Sequence, residues 1–265
     1  AVQAGNLQHA VLTEAGFAEG QRLAQAFNAM MARLQQAEQA KNAFIADVSH
    51  ELRTPLTVIK GTVETLEDGA LDDVEGRGPL LRSMQAETER LIRMVNELLV
   101  LTRAGAGNLH LDCERLNAGQ VAQRRADGLR KLAAERGISI AVSAEAELWV
   151  WADVDRLAQV LDNLLDNALR YAPAGSVVQV RMWGEAERVW FAVQDDGPGI
   201  DAQHLPLVFE RFYRVDGSRT RQTGGTGLGL AIVRSLVLAQ GGQIEALSAS
   251  GHGTTMRFWL PKVAD

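Results

Sequence analysis

The spacing of apolar residues over the first 105 positions constrains this chain more than any other feature. Leu23, Phe27, Met30, Leu34 and Ala37 step by 4, 3, 4 and 3. Ile45, Val48 and Leu52 step by 3 and 4, and Leu56, Ile59, Val63 and Leu66 by 3, 4 and 3. A second run, Leu81, Met84, Thr88, Leu91, Val95, Leu98 and Thr102, steps 3, 4, 3, 4, 3, 4. Such spacing draws one apolar seam along a helix. The break at 67–79 holds Gly69, Gly76, Gly78 and Pro79, so the expectation is a helical hairpin with a short turn. One hairpin offers too little surface to bury both seams. Two of them pair into a four-helix bundle, which predicts a homodimer.

The first seam is interrupted twice. The steps 37 to 41 and 41 to 45 are both 4, as are 48 to 52 and 52 to 56. Consecutive fours act as a stutter that locally unwinds a coiled coil. The second stutter coincides with Pro55, which removes the hydrogen bond to the Glu51 carbonyl and is expected to bend the helix. With Ile45 at heptad position a and Val48 at d, His50 falls at f, the outward position, and Arg53 and Thr54 share its face. The phase excludes a core histidine and leaves surface or function. A neutral imidazole is a nucleophile near pH 7. The adjacent Glu51 can take its proton, and an outward position leaves room for a phosphate.

Beyond residue 120 the pattern changes. All five tryptophans lie here, in alternating stretches that read as strand. Trp149 and Trp151 flank Val150, and Trp183, Trp190 and Trp259 sit in similar runs, so the tryptophans are expected in the core. The stretch 106–119, with three glycines nearby and Asn108, reads as a connector. Asp153 offers an N-cap to a helix with the stripe Leu157, Val160, Leu161, Leu164, Leu165 and Ala168. Its other side repeats Asn163, Asn167 and then Arg170 or Tyr171. Amide oxygens one turn apart beside a cation and an aromatic suit Mg²⁺, phosphate and a base ring, or merely make a solvated polar face. DDGPGI at 195–200 ends a strand-like run. Asp195 there could accept from an exocyclic amine while Gly197 and Gly199 turn the backbone, or the stretch could be an ordinary turn. GGTGLGL at 224–230 precedes an apolar helix, a place where amides and the helix dipole hold phosphate. It lacks the Gly-Lys-Ser/Thr ending of a P-loop and the spacing of a dinucleotide fingerprint.

Taken together these segments resemble a known family. FIADVSHELRTPL at 44–56 resembles the H-box of histidine kinases. The helix of Asn163 and Asn167, the segment of Asp195 and the loop 224–230 are similar, in order, to the N, G1 and G2 boxes of the GHKL ATP-binding fold. That fold is shared by histidine kinases, Hsp90, gyrase and MutL. LPLVFERFYR at 205–214 looks like the histidine-kinase F-box, which makes 201–224, with Arg211, Arg214, Arg219 and Arg221, an ATP lid able to flex at Gly217, Gly224 and Gly225. GHGTTMRFWLP at 251–261 resembles the closing strand, with Gly253 and Thr254 at the adenine pocket.

The resemblance implies specific roles. His50 would be the phospho-acceptor, Glu51 its base and Thr54 a water-positioning residue for dephosphorylation. Asp195 would bind the adenine amine. Asn167 and Asn163 would hold Mg²⁺, Arg170 would reach phosphate and Tyr171 would cover the base. Gly197, Gly199, Gly225, Gly227, Leu228 and Gly229 would shape the ATP pocket. The fold implied is multi-domain: an all-α dimerising hairpin followed by an α/β sandwich of GHKL type. Residues 1–40 resemble the second half of a HAMP linker, residues 41–105 the dimerisation and phosphotransfer hairpin, and residues 106–265 the catalytic ATP-binding domain. A HAMP linker implies a membrane receptor whose cytoplasmic end is this chain, tied to the inner membrane through a missing N-terminal part. The partner implied is the receiver domain of a response regulator, contacted around His50, Arg53 and Thr57. The rivals are another GHKL ATPase working as a clamp, and a dimeric signalling module without catalysis. An outward helical His argues against the first, and intact Asn167 and Asp195 against the second.

Charge and cysteine content exclude other classes. The net charge of −6 gives no footprint for nucleic acid or an anionic membrane. One cysteine, Cys113, cannot form an intramolecular disulfide and is read as inert packing. The remaining histidines, His9, His110, His204 and His252, have no partner pattern and are read as structural.

Overall fold

The computed structural model describes residues 18–105, 108–145, 147–215 and 225–263. The first element, α1 (Ala18–Thr65), is one long helix. Pro55 lies buried inside it, and the helix continues beyond despite the lost N–H. Hydroxyls of Ser49, Thr57 and Thr62 donate to carbonyls four residues back at 2.8, 2.9 and 2.9 Å, so the polar side chains near the proline bond along the helix. A wide π turn at Leu66–Ala70 ends α1, with Gly69 at a φ of 115° that a side chain would strain. Helix α2 (Arg77–Gly105) carries Pro79 in its first turn, where the missing N–H has no helical acceptor to satisfy. The hairpin reading therefore holds. Of the N-terminal segment expected to resemble HAMP, residues 1–17 lie outside the described residues.

The seam differs from the one read off the spacing. On α1 the covered positions are Phe44, Val48, Leu52, Pro55, Ile59, Thr62 and Leu66, whereas Ile45, Leu56 and Val63 are exposed. On α2 Leu80, Met84, Leu91, Met94, Leu98 and Leu101 are covered, and Leu81, Val95 and Leu99 are exposed. Each helix thus carries two neighbouring apolar stripes, one covered in the single chain and one facing outward. Spacings of 3 and 4 fit either stripe, which is why the sequence reading merged them.

The described chain forms two compact units, one ending at Glu87 and the other starting at Thr88, so the second unit includes the C-terminal half of α2. The rest of this unit is α/β. Its central sheet has the order β2-β4-β5-β7-β6, where β2 is Ser139–Ala144, β4 Val177–Glu185, β5 Arg188–Asp195, β6 Gln243–Ser248 and β7 Thr254–Pro261. Only the β2–β4 pair is parallel. A two-stranded sheet joins β1 (Cys113–Asn117) to β3 (Trp149–Asp153). The expected connector at 106–119 therefore contains a strand and the start of α3 (Ala118–Glu135), whose N-cap Asn117 accepts from Gln120.

Alternation decides the core. Val178, Val180 and Met182 of β4, Val189, Phe191 and Val193 of β5, and Met256, Phe258 and Leu260 of β7 point to the buried face. They meet α3, α4 (Val154–Tyr171) and α5 (Gly229–Ala239), which form a layer over that face. Phe191 and Phe258 stack at its centre with centroids 4.6 Å apart. The stripe foreseen on α4 is buried throughout. The tryptophans correct the core expectation: none is buried. Trp183, Trp190 and Trp259 occupy one cross-strand row on the opposite sheet face, with Trp183 and Trp190 stacked at 5.9 Å. Arg188 lies 4.4 Å over Trp259 and Arg257 5.3 Å over Trp190, so guanidinium groups cover the rings that would otherwise face solvent.

Asp153, the last residue of β3, caps α4 and ties it to the segment before β1 and to the end of α5. Its Oδ1 accepts from the amides of Asp155 and Arg156, both at 3.0 Å, and its Oδ2 from Asp112 at 3.0 Å. Its own amide donates to the buried Gln240 side chain at 3.0 Å. Asp153→Ala should lower the unfolding free energy in urea by about 2 kcal/mol, the upper end for a capping residue. Asp153→Asn should restore the helix cap but not the bond to Asp112. Equal stability of the Ala variant and the wild type would show that the cap carries no weight.

Candidate functional site

Burying the stripe of α4 turns its other side toward a cavity of about 520 Å³. Asn163, Asp166, Asn167, Arg170 and Tyr171 line it from α4, Asp195 from the end of β5, and Thr254 from the start of β7. Gly199 comes from the turn after β5, and Gly225, Gly227 and Gly229 from the loop before α5. Apart from Asp166, which the sequence reading did not single out, these are expected residues, and the fold brings them together. Gly197 and Leu228 do not line the cavity. Gly197 donates its amide to Asp195 Oδ1 at 2.8 Å, and Leu228 is fully buried.

Asp195 is only 7% exposed and is hydrogen-bonded by the backbone at Gly197 and Thr254. Burial pushes its carboxyl above the usual range. The two backbone bonds pull the other way, and neighbouring Asp196 adds to the upward push. A buried carboxylate fixed by amides at a cavity wall is an acceptor with a set direction. Its surroundings explain three glycines. A Cβ on Gly253 (φ 72°) would meet the Asp195 carbonyl, one on Gly199 (φ 71°) the Ala249 carbonyl, and one on Gly197 the Asp195 carboxylate itself.

The loop before α5 approaches α4 equally closely. A Cβ on Gly225 would overlap the Arg170 guanidinium, and one on Gly229 would come within 3.0 Å of Asn163 Oδ1. Gly227 adopts φ 73° against the backbone of Phe212, whose amide donates to the Gly227 carbonyl at 2.9 Å. Arg214 donates to the Gly225 carbonyl at 3.1 Å. The 201–215 segment and the loop are thus stitched together. Gly217, Arg219, Arg221 and Gly224 lie outside the described residues. His204, read as structural, is 2.6 Å from the Tyr213 hydroxyl and so supports a ring that lines the cavity.

Among the described residues no cluster of three His, Cys, Asp or Glu could hold a metal ion. The donors that fit a hard cation are amide oxygens. Asn163 uses Nδ2 on the Gln159 carbonyl at 2.9 Å, which leaves Oδ1 as acceptor, and the half-buried Asn167 makes no side-chain hydrogen bond among the described residues. Such a set suits Mg²⁺ whose charge is met by a ligand's own phosphates. His50 and Thr54 are exposed on α1 and Glu51 is half-buried, all in the other unit. The Cys113 thiol is pushed up by partial burial, then by Asp153 and Asp112, which keeps it protonated and agrees with inert packing.

Residues 152–264 match the family model described as histidine kinase-, DNA gyrase B- and HSP90-like ATPase, and residues 40–107 match the His kinase A (phospho-acceptor) domain. The chain is 40% identical to the sensor histidine kinase WalK of Bacillus subtilis over 226 residues, 84% of this chain and 37% of that protein. Among solved structures it is similar to the mycobacterial sensor histidine kinase MprB, at 31% identity and TM-score 0.51, over 58% of this chain and 99% of that one. The chain belongs to the sensor histidine kinase family. It also resembles full-length ShkA in complex with AMPPNP, at 31% identity and TM-score 0.63, over 84% of this chain and 46% of that one. This histidine kinase chain spans 37% to 52% of the length of the first curated relatives it matches. No helix among its described residues is long and apolar enough to cross a membrane.

In this kinase the cavity also has lining residues that the sequence reading missed. Arg93 and Glu97 reach it from the end of α2, and Tyr213, Arg214 and Thr226 from the stitched loops. The motif strings already contained the last three without assigning them a contact. Nothing in the seam of α2 marked Arg93 or Glu97, because the groups that give Glu97 its place, Thr226, Arg170 and Asp166, come from distant segments of the chain.

Gly227→Ala should break the contact between the loop and Phe212. The Cβ would sit 2.9 Å from the Phe212 backbone at a φ that disfavours side chains. Tryptic cleavage at Arg211 and Arg214 should then accelerate at least about fivefold, matching strain of the usual size, while far-UV circular dichroism stays unchanged. An unaltered cleavage rate would mean that the glycine is dispensable.

Proposed function

We propose that this chain is the catalytic core of a sensor histidine kinase, which phosphorylates its own His50 with Mg-ATP and passes the phosphoryl group to an aspartate of a response regulator's receiver domain. The observation that carries the reading is the Asp195 cavity in a chain that also holds an exposed helical histidine followed by an acid. Asp195 accepts from the exocyclic amine of adenine, and its two backbone donors fix the direction of that acceptor. Tyr171, 42% exposed at the cavity wall, covers the base, and Thr254 flanks it, preceded by Gly253 packed against the Asp195 carbonyl. Arg170 and the amides of the loop around Gly225, Gly227, Leu228 and Gly229 meet the phosphates. Asn163 and Asn167 hold Mg²⁺, which neutralises charge on the phosphates when bound.

In the reaction a ring nitrogen of His50 attacks the γ-phosphorus. The N–P bond forms as the bond from phosphorus to the bridging oxygen breaks, and ADP leaves with that electron pair. The imidazole proton passes to Glu51. Positioning and electrostatics account for most of the rate. Thr54, on the face of His50, orients the water in the reverse duty of dephosphorylating the regulator. Arg53 and Thr57 extend the docking face for the receiver domain. The outward stripes of Ile45, Leu56 and Val63, and of Leu81, Val95 and Leu99, support a homodimer. The domain reading remains 1–40 as a HAMP-like linker, 41–105 as hairpin and 106–265 as ATP-binding domain. The whole receptor would hold this part on the cytoplasmic side of the inner membrane.

Incubation with radiolabelled ATP and Mg²⁺ should give acid-labile, alkali-stable label on the wild type and none on His50→Gln. Label persisting on the variant would move the acceptor elsewhere, and ATP turnover without label would favour a clamp-type ATPase. Asp195→Asn should weaken ATP binding by about 10-fold to 100-fold, the range for a hydrogen bond to a charged group. Unchanged affinity would remove Asp195 from adenine recognition.

A further inference from the structure

Glu97 of α2 is a carboxylate at the wall of a cavity that our reading assigns to a polyanion. Its Oε2 accepts a 2.7 Å hydrogen bond from the Thr226 hydroxyl, and Thr226 stands between Gly225 and Gly227 in the loop that would cradle phosphates. The same hydroxyl accepts from the Leu228 amide at 3.2 Å, at the very start of α5. Glu97 therefore ties α2 to the phosphate loop through a single side chain. The charged groups facing it are Arg93 on its own helix and Arg170 and Asp166 on α4. Arg170 is already engaged with Asp166 at 3.1 Å. Two carboxylates and two guanidinium groups balance one another here.

Triphosphate disturbs that balance. Its negative charges would come close to a carboxylate that is largely shielded from water, where repulsion is stronger than at a surface. They also compete for Arg170 and for the loop that Glu97 grips. We propose that Glu97 is a latch that nucleotide must displace: the Glu97–Thr226 tie seats α2 against the phosphate loop in the nucleotide-free chain, and nucleotide binding releases it. The inference rests on the ATP-site reading above and adds to it a coupling between the cavity and the helix carrying the outward seam. Burial, helped by Asp166, raises the Glu97 carboxyl although Thr226, Arg93 and Arg170 pull it down, in keeping with a charge held at a cost. Because the tie and the nucleotide exclude one another, each weakens the other by the same factor.

The test is calorimetric titration of the full chain with Mg-AMPPNP, comparing wild type, Glu97→Gln and Glu97→Ala. Both variants should bind at least about fivefold more tightly, the lower end for coupled sites. Unchanged or weaker binding would overturn the latch, and weakening that depended on Mg²⁺ would make Glu97 a metal ligand instead. A wild type that binds no nucleotide would sink the ATP-site reading itself, a different outcome. Hydrogen exchange over 93–101 provides a second measurement. Nucleotide should speed exchange in the wild type, whereas in Glu97→Ala exchange should already be fast and indifferent to nucleotide. Slower exchange in the wild type on binding would again overturn the proposal.

Discussion

A carboxylate at the end of β5 can be kept out of water only if the surrounding backbone supplies its hydrogen bonds. That requirement organises the catalytic half of the molecule. Asp195 is served by amides at Gly197 and Thr254, so β5 and β7 must end side by side, and the register does pair Asp195 with Thr254. The turn after β5 and the one before β7 must both press against the carboxylate and its carbonyl, which is why Gly197 and Gly253 leave no room for a side chain, while Gly199 is hemmed in by the Ala249 carbonyl. Around that fixed point, α4 presents its polar side because its apolar side is taken by the sheet. The glycines of the loop before α5 then let the loop settle onto Arg170 and Asn163.

Much of this was legible beforehand because the local signals agreed with each other. The α4 stripe, the Asp153 cap and the glycine spacing each pointed to one geometry, and the lining of the cavity follows from them. The seam was less legible. A run of 3 and 4 steps fixes a helix and a face only to within one residue position, so two adjacent stripes on one helix look alike. Burial separates Val63 from Thr62, and Leu81 from Leu80, and burial depends on packing that spacing does not encode.

The tryptophans fail for a related reason. Alternation tells which residues share a face and not which face is covered. Large apolar rings favour the core as a prior. Here Val, Met and Phe fill that role, and Trp183, Trp190 and Trp259 remain half-exposed, Trp190 and Trp259 under arginines and Trp183 stacked on Trp190. Glu97 was illegible for another reason again. An acid in a heptad helix has no marked spacing, and its meaning comes from Thr226, 129 positions away.

Phe212 departs from this pattern, and it has a consequence of its own. A bulky residue at φ 60° occupies the left-handed region, which costs roughly 1–2 kcal/mol for any side chain. The amide bond to the Gly227 carbonyl and the Arg214 bond to Gly225 help hold the backbone there. The segment behaves as a loaded spring with its catch on the phosphate loop. Once the catch slips, relaxation of the backbone itself favours opening by a factor of roughly 5 to 30. On the ATP-site reading, departure of the spent nucleotide would then draw on energy stored when the chain folded.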